Sequence, residues 1–169
     1  MKKPATSENQ FIFSIHAEDK KGLIGQLLMH FNRSSYDVQS LNVARTDISD
    51  LVLITLEACV PEAVIEPFRH KLQKIVEVYA VNFCPANDGL RKVGFYRLAK
   101  PALDARLWEL MNKFGATLSS IAEHSLVISK TGSDKDLAEL YALLEGPHLL
   151  GFCKSGLIRE ESLVPFDAL

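Results

Sequence analysis

A β-α-β-β-α-β pattern of hydrophobic periodicity runs through this chain twice, and that repetition constrains its fold more than any single motif. In the first half, Phe11, Phe13 and Ile15 share one face of an alternating run. Ile24, Leu27, Leu28 and Phe31 then take the i, i+3, i+4, i+7 spacing of a half-buried helix. Val38 to Thr46 alternate as a strand, Ile48-Ser49-Asp50 make a turn, and Leu51 to Val60 form a second alternating run with Val52, Ile54, Leu56 and Ala58 on one side. Pro61 to Lys74 carry Ile65, Phe68 and Leu72 at helical spacing, and Ile75 to Cys84 read as a last strand. Pro67 conflicts with a helix running from Glu62, because a proline inside a helix loses a hydrogen bond. The regular helix therefore starts near Pro67 or kinks there.

After Pro85-Ala86-Asn87-Asp88-Gly89, a turn-rich stretch, the same order recurs. Lys92 to Leu98 form a strand, and Leu103, Leu107, Leu110, Met111 and Phe114 mark a helix that Pro101 can begin. Ala116 to Ala122 and Leu126 to Ser129 are two strands around Glu123-His124-Ser125. Asp134 to Leu144 is a helix with Leu137, Leu140, Tyr141 and Leu144 on one face, and Leu149 to Ile158 close the series. The expectation is an α+β chain of two tandem ferredoxin-like βαββαβ domains, each an antiparallel four-stranded sheet with two helices on one face. The boundaries are a flexible N-terminus over 1–10, a first domain over 11–84, a linker over 85–90, a second domain over 91–160 and a tail over 161–169. Sheets of this size leave an edge or a face uncovered, so pairing between copies is expected, at least to a dimer.

The loop between the first strand and first helix carries the binding chemistry. His16-Ala17-Glu18-Asp19-Lys20-Lys21-Gly22-Leu23 leads from strand to helix through a short acidic-basic loop and a glycine. That geometry aims backbone N–H groups and the positive helix end at whatever sits above the loop, which favours a carboxylate or phosphate, and Gly22 lets a ligand come close. The blander reading has Asp19 capping the helix while Gly22 only eases a tight turn. The corresponding stretch of the second half, Ala99-Lys100-Pro101-Ala102, has neither a glycine at the helix start nor an acid close before it. A ligand site is therefore expected in the first half.

Composition narrows the class. The apolar fraction of 47% is ample for packed cores, and a net charge of −2 with acids and bases interspersed gives no footprint for nucleic acid or an anionic membrane. The basic cluster Arg69-His70-Lys71 with Lys74 reads as the solvated face of a helix. Cys59, Cys84 and Cys153, odd in number and set in strand patterns, are expected as buried reduced thiols. No apolar signal core or membrane-length run is present, so a cytoplasmic location is expected. The five histidines lack metal-ligand spacing, and His16 reads as a partly exposed strand residue on the Ile12 and Ser14 side. Gly22-Leu23-Ile24-Gly25 is neither a dinucleotide fingerprint nor a phosphate loop, no elbow presents a serine, and no polar neighbours activate Cys59 or Cys153. With no nucleophile or acid-base pair in view, the chain reads as a regulatory or interaction protein that is not itself an enzyme.

Several runs resemble a known family. Asp19-x-x-Gly22-Leu23 at the first strand-helix junction resembles the ACT domain, an amino-acid sensor. The run Phe31-Asn32-Arg33-Ser34-Ser35-Tyr36-Asp37-Val38-Gln39-Ser40-Leu41-Asn42-Val43-Ala44-Arg45-Thr46, then His70-Lys71-Leu72-Gln73-Lys74-Ile75-Val76-Glu77-Val78, and late in the chain Lys154-Ser155-Gly156-Leu157-Ile158, are together similar to the small, regulatory subunits of acetolactate synthase (acetohydroxyacid synthase). The match extends from about Phe11 to Arg159. It implies an N-terminal ACT domain, an ACT-like second domain, and a protein without an active site. Such a protein docks on a catalytic subunit, raises its activity and confers feedback inhibition by a branched-chain amino acid such as valine. The chain itself is expected to bind no cofactor and no metal; thiamine diphosphate, Mg and FAD belong to the catalytic partner. The resemblance further implies a homodimer through ACT domains. The effector would lie between two copies, touched by Asp19, Lys21, Gly22 and Leu23 of one and Asp37 and Val38 of the other. Two departures bear on it: the family usually has asparagine where Asp19 and Asp37 stand. An amide donates to an effector's carboxylate, whereas a carboxylate repels it at close range and pairs only with the ammonium. Ser35 stands where the family usually has glycine, which implies an altered turn. The alternative to a synthase subunit is a free-standing double-ACT sensor acting on another enzyme or regulator.

Overall fold

The computed structural model describes residues 10–86 and 91–158. The segment before residue 10, the centre of the expected linker and the expected tail lie outside the described residues. The chain divides into two compact units, one on each side of residues 87–90. Each is an antiparallel four-stranded sheet with two helices, in the order β-α-β-β-α-β.

The first unit contains β1 (Gln10–Glu18), α1 (Leu23–Arg33), β2 (Asp37–Arg45), β3 (Leu51–Cys59), α2 (Ile65–Gln73) and β4 (Val78–Pro85). Its strands lie in the order β2-β3-β1-β4, so β2 and β4 are the edges. The alternation read from the sequence fixes the register. Phe13, Leu56 and Phe83 stand opposite one another, as do Ile15, Ile54 and Val81, and their side chains enter one core with Leu27, Phe31, Phe68 and Leu72 of the helices. Phe13, Phe31, Tyr36 and Phe68 meet edge to face, with ring centroids 4.8–6.0 Å apart. Such pairs add about 0.5–1.5 kcal/mol each beyond area burial.

The regular second helix starts near Pro67, as the sequence implied, two residues before it. A 3-10 turn over Glu62–Val64 leads into α2 at Ile65, and Pro67 falls in the first turn, where its missing N–H has no intrahelical partner to lose. Gln10 and Pro85, placed outside the first domain from sequence, both lie in strands: Pro85 pairs with Phe11, and the Ala86 amide donates to the Gln10 carbonyl at 2.8 Å. His16, expected partly exposed, is buried, because β1 is a central strand and His16 sits between Leu53 and Ala80 on its two neighbours. The cysteines are free thiols, but not all are buried: Cys59 and Cys84 are half-buried, and Cys153, on an edge strand, is exposed.

The second unit contains β5 (Arg91–Ala99), α3 (Ala105–Phe114), β6 (Thr117–Ile121), β7 (Ser125–Gly132), α4 (Asp134–Leu144) and β8 (Leu149–Ile158), with strand order β6-β7-β5-β8. Its core gathers Tyr96, Leu98, Leu107, Met111, Leu126, Ile128 and Leu140. The Tyr96 hydroxyl donates to the Leu137 carbonyl at 2.8 Å, and burial pushes its pKa up to about 12. Pro101 does not begin α3. It sits in a 3-10 turn over Lys100–Ala102, and Asp104 caps α3 by accepting the Leu107 amide at 2.8 Å. Ser133 and Asp136 form a reciprocal capping box at the start of α4. Among the described residues, no helix is long and apolar enough to cross a membrane.

Candidate effector site

The loop from β1 to α1 is built by backbone ties to two other segments. The Glu18 amide donates to the Glu77 carbonyl and the Asp19 amide to the Asp50 carbonyl, each at 2.8 Å. Lys20 Nζ donates to Glu77 Oε1 at 2.8 Å, and that hydrogen bond holds the Lys20 pKa up and the Glu77 pKa down. Gly22 then takes φ +90°, ψ −15°, a conformation that an L side chain adopts only with strain, although a Cβ there would meet no atom within 4 Å. Gly22 is itself the N-cap residue of α1, and no side chain caps this helix.

The helix start thus differs from those of α3 and α4, where the Asp104 carboxylate accepts the Leu107 amide and the Ser133 hydroxyl the Asp136 amide. Asp19 is not the cap. Its Oδ2 accepts from Arg45 Nε at 2.8 Å, across the end of the sheet, so the carboxylate is turned to β2 and its charge is offset by a guanidinium. Both partners are exposed enough that the pair contributes about 0–1 kcal/mol to stability. Its importance is electrostatic: the acid that would repel an incoming carboxylate already faces a cation. Lys21 is exposed in the turn, and Leu23, the first helical residue, is buried in the core. Arg45 was not anticipated from the sequence. It stands 26 residues from Asp19, and only the strand order brings the two together.

Asp37 and Val38 lie elsewhere. Asp37 opens β2 opposite Cys59, which is itself opposite Gln10 at the start of β1, whereas Arg45 at the far end of β2 stands opposite Val52 and Ala17. β1 and β2 therefore run parallel with β3 between them. Within one copy, Asp37 and Val38 are a full nine-residue strand away from Asp19, Lys21, Gly22 and Leu23, roughly 27 Å at the usual strand rise. Asp37 is exposed and Val38 half-buried against the core.

At the turn after α1, Ser35 takes φ 57°, a conformation that suits glycine, while its amide donates to the Asn32 carbonyl and that of Tyr36 to the Phe31 carbonyl, both at 3.0 Å. This is the double hydrogen bond of a Schellman termination. The second unit repeats it after α3 with Gly115 at φ 61° and the Ala116 amide on the Met111 carbonyl.

Two βαββαβ units in tandem, the first with a glycine-led helix start above a tied loop, define a protein of two ferredoxin-like domains. The comparisons with known proteins narrow this further. No protein-family model matches the chain. It is similar to the acetolactate synthase small subunit of Mycolicibacterium smegmatis, with 24% identity over 147 residues covering 86% of each chain. The small subunit of Haemophilus influenzae is 26% identical over 150 residues, covering 87% of this chain and 92% of its own. A probable small subunit of Archaeoglobus fulgidus is 23% identical over 146 residues, with coverage of 86% and 92%. The crystal structure of the acetolactate synthase small subunit of Thermotoga maritima superposes with a TM-score of 0.77 over 88% of this chain and 94% of its own, at 16% identity, so the tandem fold is shared. These similarities span both units and fall on acetolactate synthase small subunits, the proteins whose motif runs this sequence resembles.

Proposed function

We propose that this chain is the regulatory subunit of an acetolactate synthase, without catalytic residues of its own. In this reading it docks on the thiamine-diphosphate catalytic subunit, raises its activity and makes it responsive to a branched-chain amino acid. The observation that carries the reading is the similarity to acetolactate synthase small subunits through both units, with the relatives covered almost end to end. Thiamine diphosphate, Mg and FAD are assigned to the catalytic partner, and this chain is assigned none.

The proposed effector site rests on strand direction. The two groups of residues implied by the family resemblance lie at opposite ends of β2, and β2 is an edge strand. Pairing β2 antiparallel with β2 of a second copy lays the Asp37 end of each against the Arg45 end of the other. That arrangement brings Asp37 and Val38 of one copy to the Asp19–Leu23 loop of its neighbour, on both sides of the two-fold axis. The effector's carboxylate then meets the uncapped amides of α1, and its ammonium meets Asp37 of the neighbour. Effector binding biases how the dimer engages the catalytic subunit, with a coupling of about 1–3 kcal/mol as is typical of allosteric proteins.

The test is assembly. Mixed with the catalytic subunit of the same organism and passed through size-exclusion chromatography with light-scattering detection, the chain is expected to co-elute in one complex. Separate elution, with amino-acid binding retained, would overturn the reading in favour of a free-standing sensor.

A further inference from the structure

The second unit contains a cavity that the effector site does not explain. It has a volume of about 560 Å³ and lies between α4 and the edge strand β8. That is within the roughly 300–1,000 Å³ range of small-molecule sites. Leu137, Ala138, Tyr141 and Phe152 give it an apolar floor, with the rings of Tyr141 and Phe152 meeting edge to face at 5.2 Å. At one end stand Asp134 and Lys154.

The charges at that end are arranged asymmetrically. Asp134 Oδ2 accepts from Lys92 Nζ at 2.7 Å and Oδ1 from Lys154 Nζ at 2.5 Å, so both carboxylate oxygens already serve a cation. Burial pushes the Asp134 pKa up, but the hydrogen bonds from Lys154 and Lys92 outweigh it and hold the group below the usual carboxylate range. An ammonium has three N–H donors, and Lys154 spends one on Asp134. The Ser133 hydroxyl accepts the Asp136 amide at the start of α4, and Lys154, which lines the cavity, is the handle for an anion.

We infer that this cavity binds a small monocarboxylate with a branched or aromatic apolar body, its carboxylate on Lys154 and its body on the floor of Leu137, Ala138, Tyr141 and Phe152. The zwitterionic amino acid of the same side chain is rejected. Two lysines face the single carboxylate of Asp134, so that end of the cavity carries a net positive charge. An ammonium there is repelled by Lys92 and Lys154 and must share oxygens that each already accept from a lysine. The inference does not depend on the synthase reading.

Calorimetric titration of the full chain with 3-phenylpropanoate and 4-methylpentanoate, each against phenylalanine and leucine, tests it. The two acids are expected to bind, with the amino acids at least about tenfold weaker, the scale of one unpaired charge. Amide NMR shifts on saturation with the acids are expected to concentrate in α4 and β8. Ala138 is exposed, so Ala138→Leu adds its atoms to the cavity and not to the core, and is expected to abolish binding with the fold intact. Lys154→Gln is expected to weaken binding about tenfold and Lys154→Arg to retain it. Absence of binding at millimolar acid would overturn the inference. So would equal affinity for acid and amino acid, shifts confined to the first unit, or self-association through β8 that Ala138→Leu abolishes.

Discussion

At the scale of single residues, the two ends of α1 show where backbone conformation dictates side-chain choice. Gly22 at φ +90° precedes the helix, and Ser35 at φ 57° follows it. The first position holds the residue that suits it, whereas the second holds a residue with a Cβ where the repeated turn of the second unit has Gly115. Substitutions at the two positions therefore move stability in opposite directions. Gly22→Ala is expected to destabilise the first unit by about 1–2 kcal/mol, the cost of left-handed backbone, while Ser35→Gly is expected to stabilise it by up to about 1 kcal/mol. Urea denaturation of the two variants checks both signs. Gly22 was legible in the sequence because a glycine directly before an apolar helical run marks a sharp backbone turn that a side chain would strain. The partner of Asp19 was not legible: a helix cap is a local interaction that spacing suggests, but the carboxylate bonds to Arg45 across the sheet end, which only tertiary structure sets.

At the scale of elements, the strand and helix types were readable because each half is half-buried and amphipathic, so periodicity and burial agree. α4 and β8 fall on the residues their patterns marked. The differences sit at element ends, where capping competes with periodicity. Asp104, not Pro101, starts α3, and a 3-10 turn precedes α2. β2 is the element with the most direct consequence for assembly. Its outer edge is unpaired within the unit, and Val43, on the core-facing side opposite Ile54, is 45% exposed. A β2-to-β2 contact covers Val43 and sets it towards the Asp37 end of the neighbour. Val43→Glu, which adds a carboxylate near another, is expected to convert a dimer to a monomer by light scattering while leaving the far-ultraviolet circular dichroism unchanged. A dimer that survives Val43→Glu would place the contact elsewhere.

For the whole molecule, the internal repeat was the decisive signal. Two copies of one strand-helix order predict two ferredoxin-like units, and the divergence between the copies locates different chemistry in each. The first unit has an uncapped α1 and a glycine-led loop; the second has capped helices and a cavity beside its edge strand. The sequence could not show that the implied effector residues lie at opposite ends of one sheet, because strand direction is a property of the topology and not of any local run. That separation is what makes a second copy necessary to the proposed site.

The proposed activation and regulation of an acetolactate synthase through the first unit is tested by acetolactate formation from pyruvate by the catalytic subunit of the same organism, with and without the chain, and with valine, leucine or isoleucine added. The account predicts a higher rate with the chain present, inhibition by at least one of the three amino acids, and loss of that inhibition but not of activation in Asp37→Lys. An unchanged rate on adding the chain would contradict it.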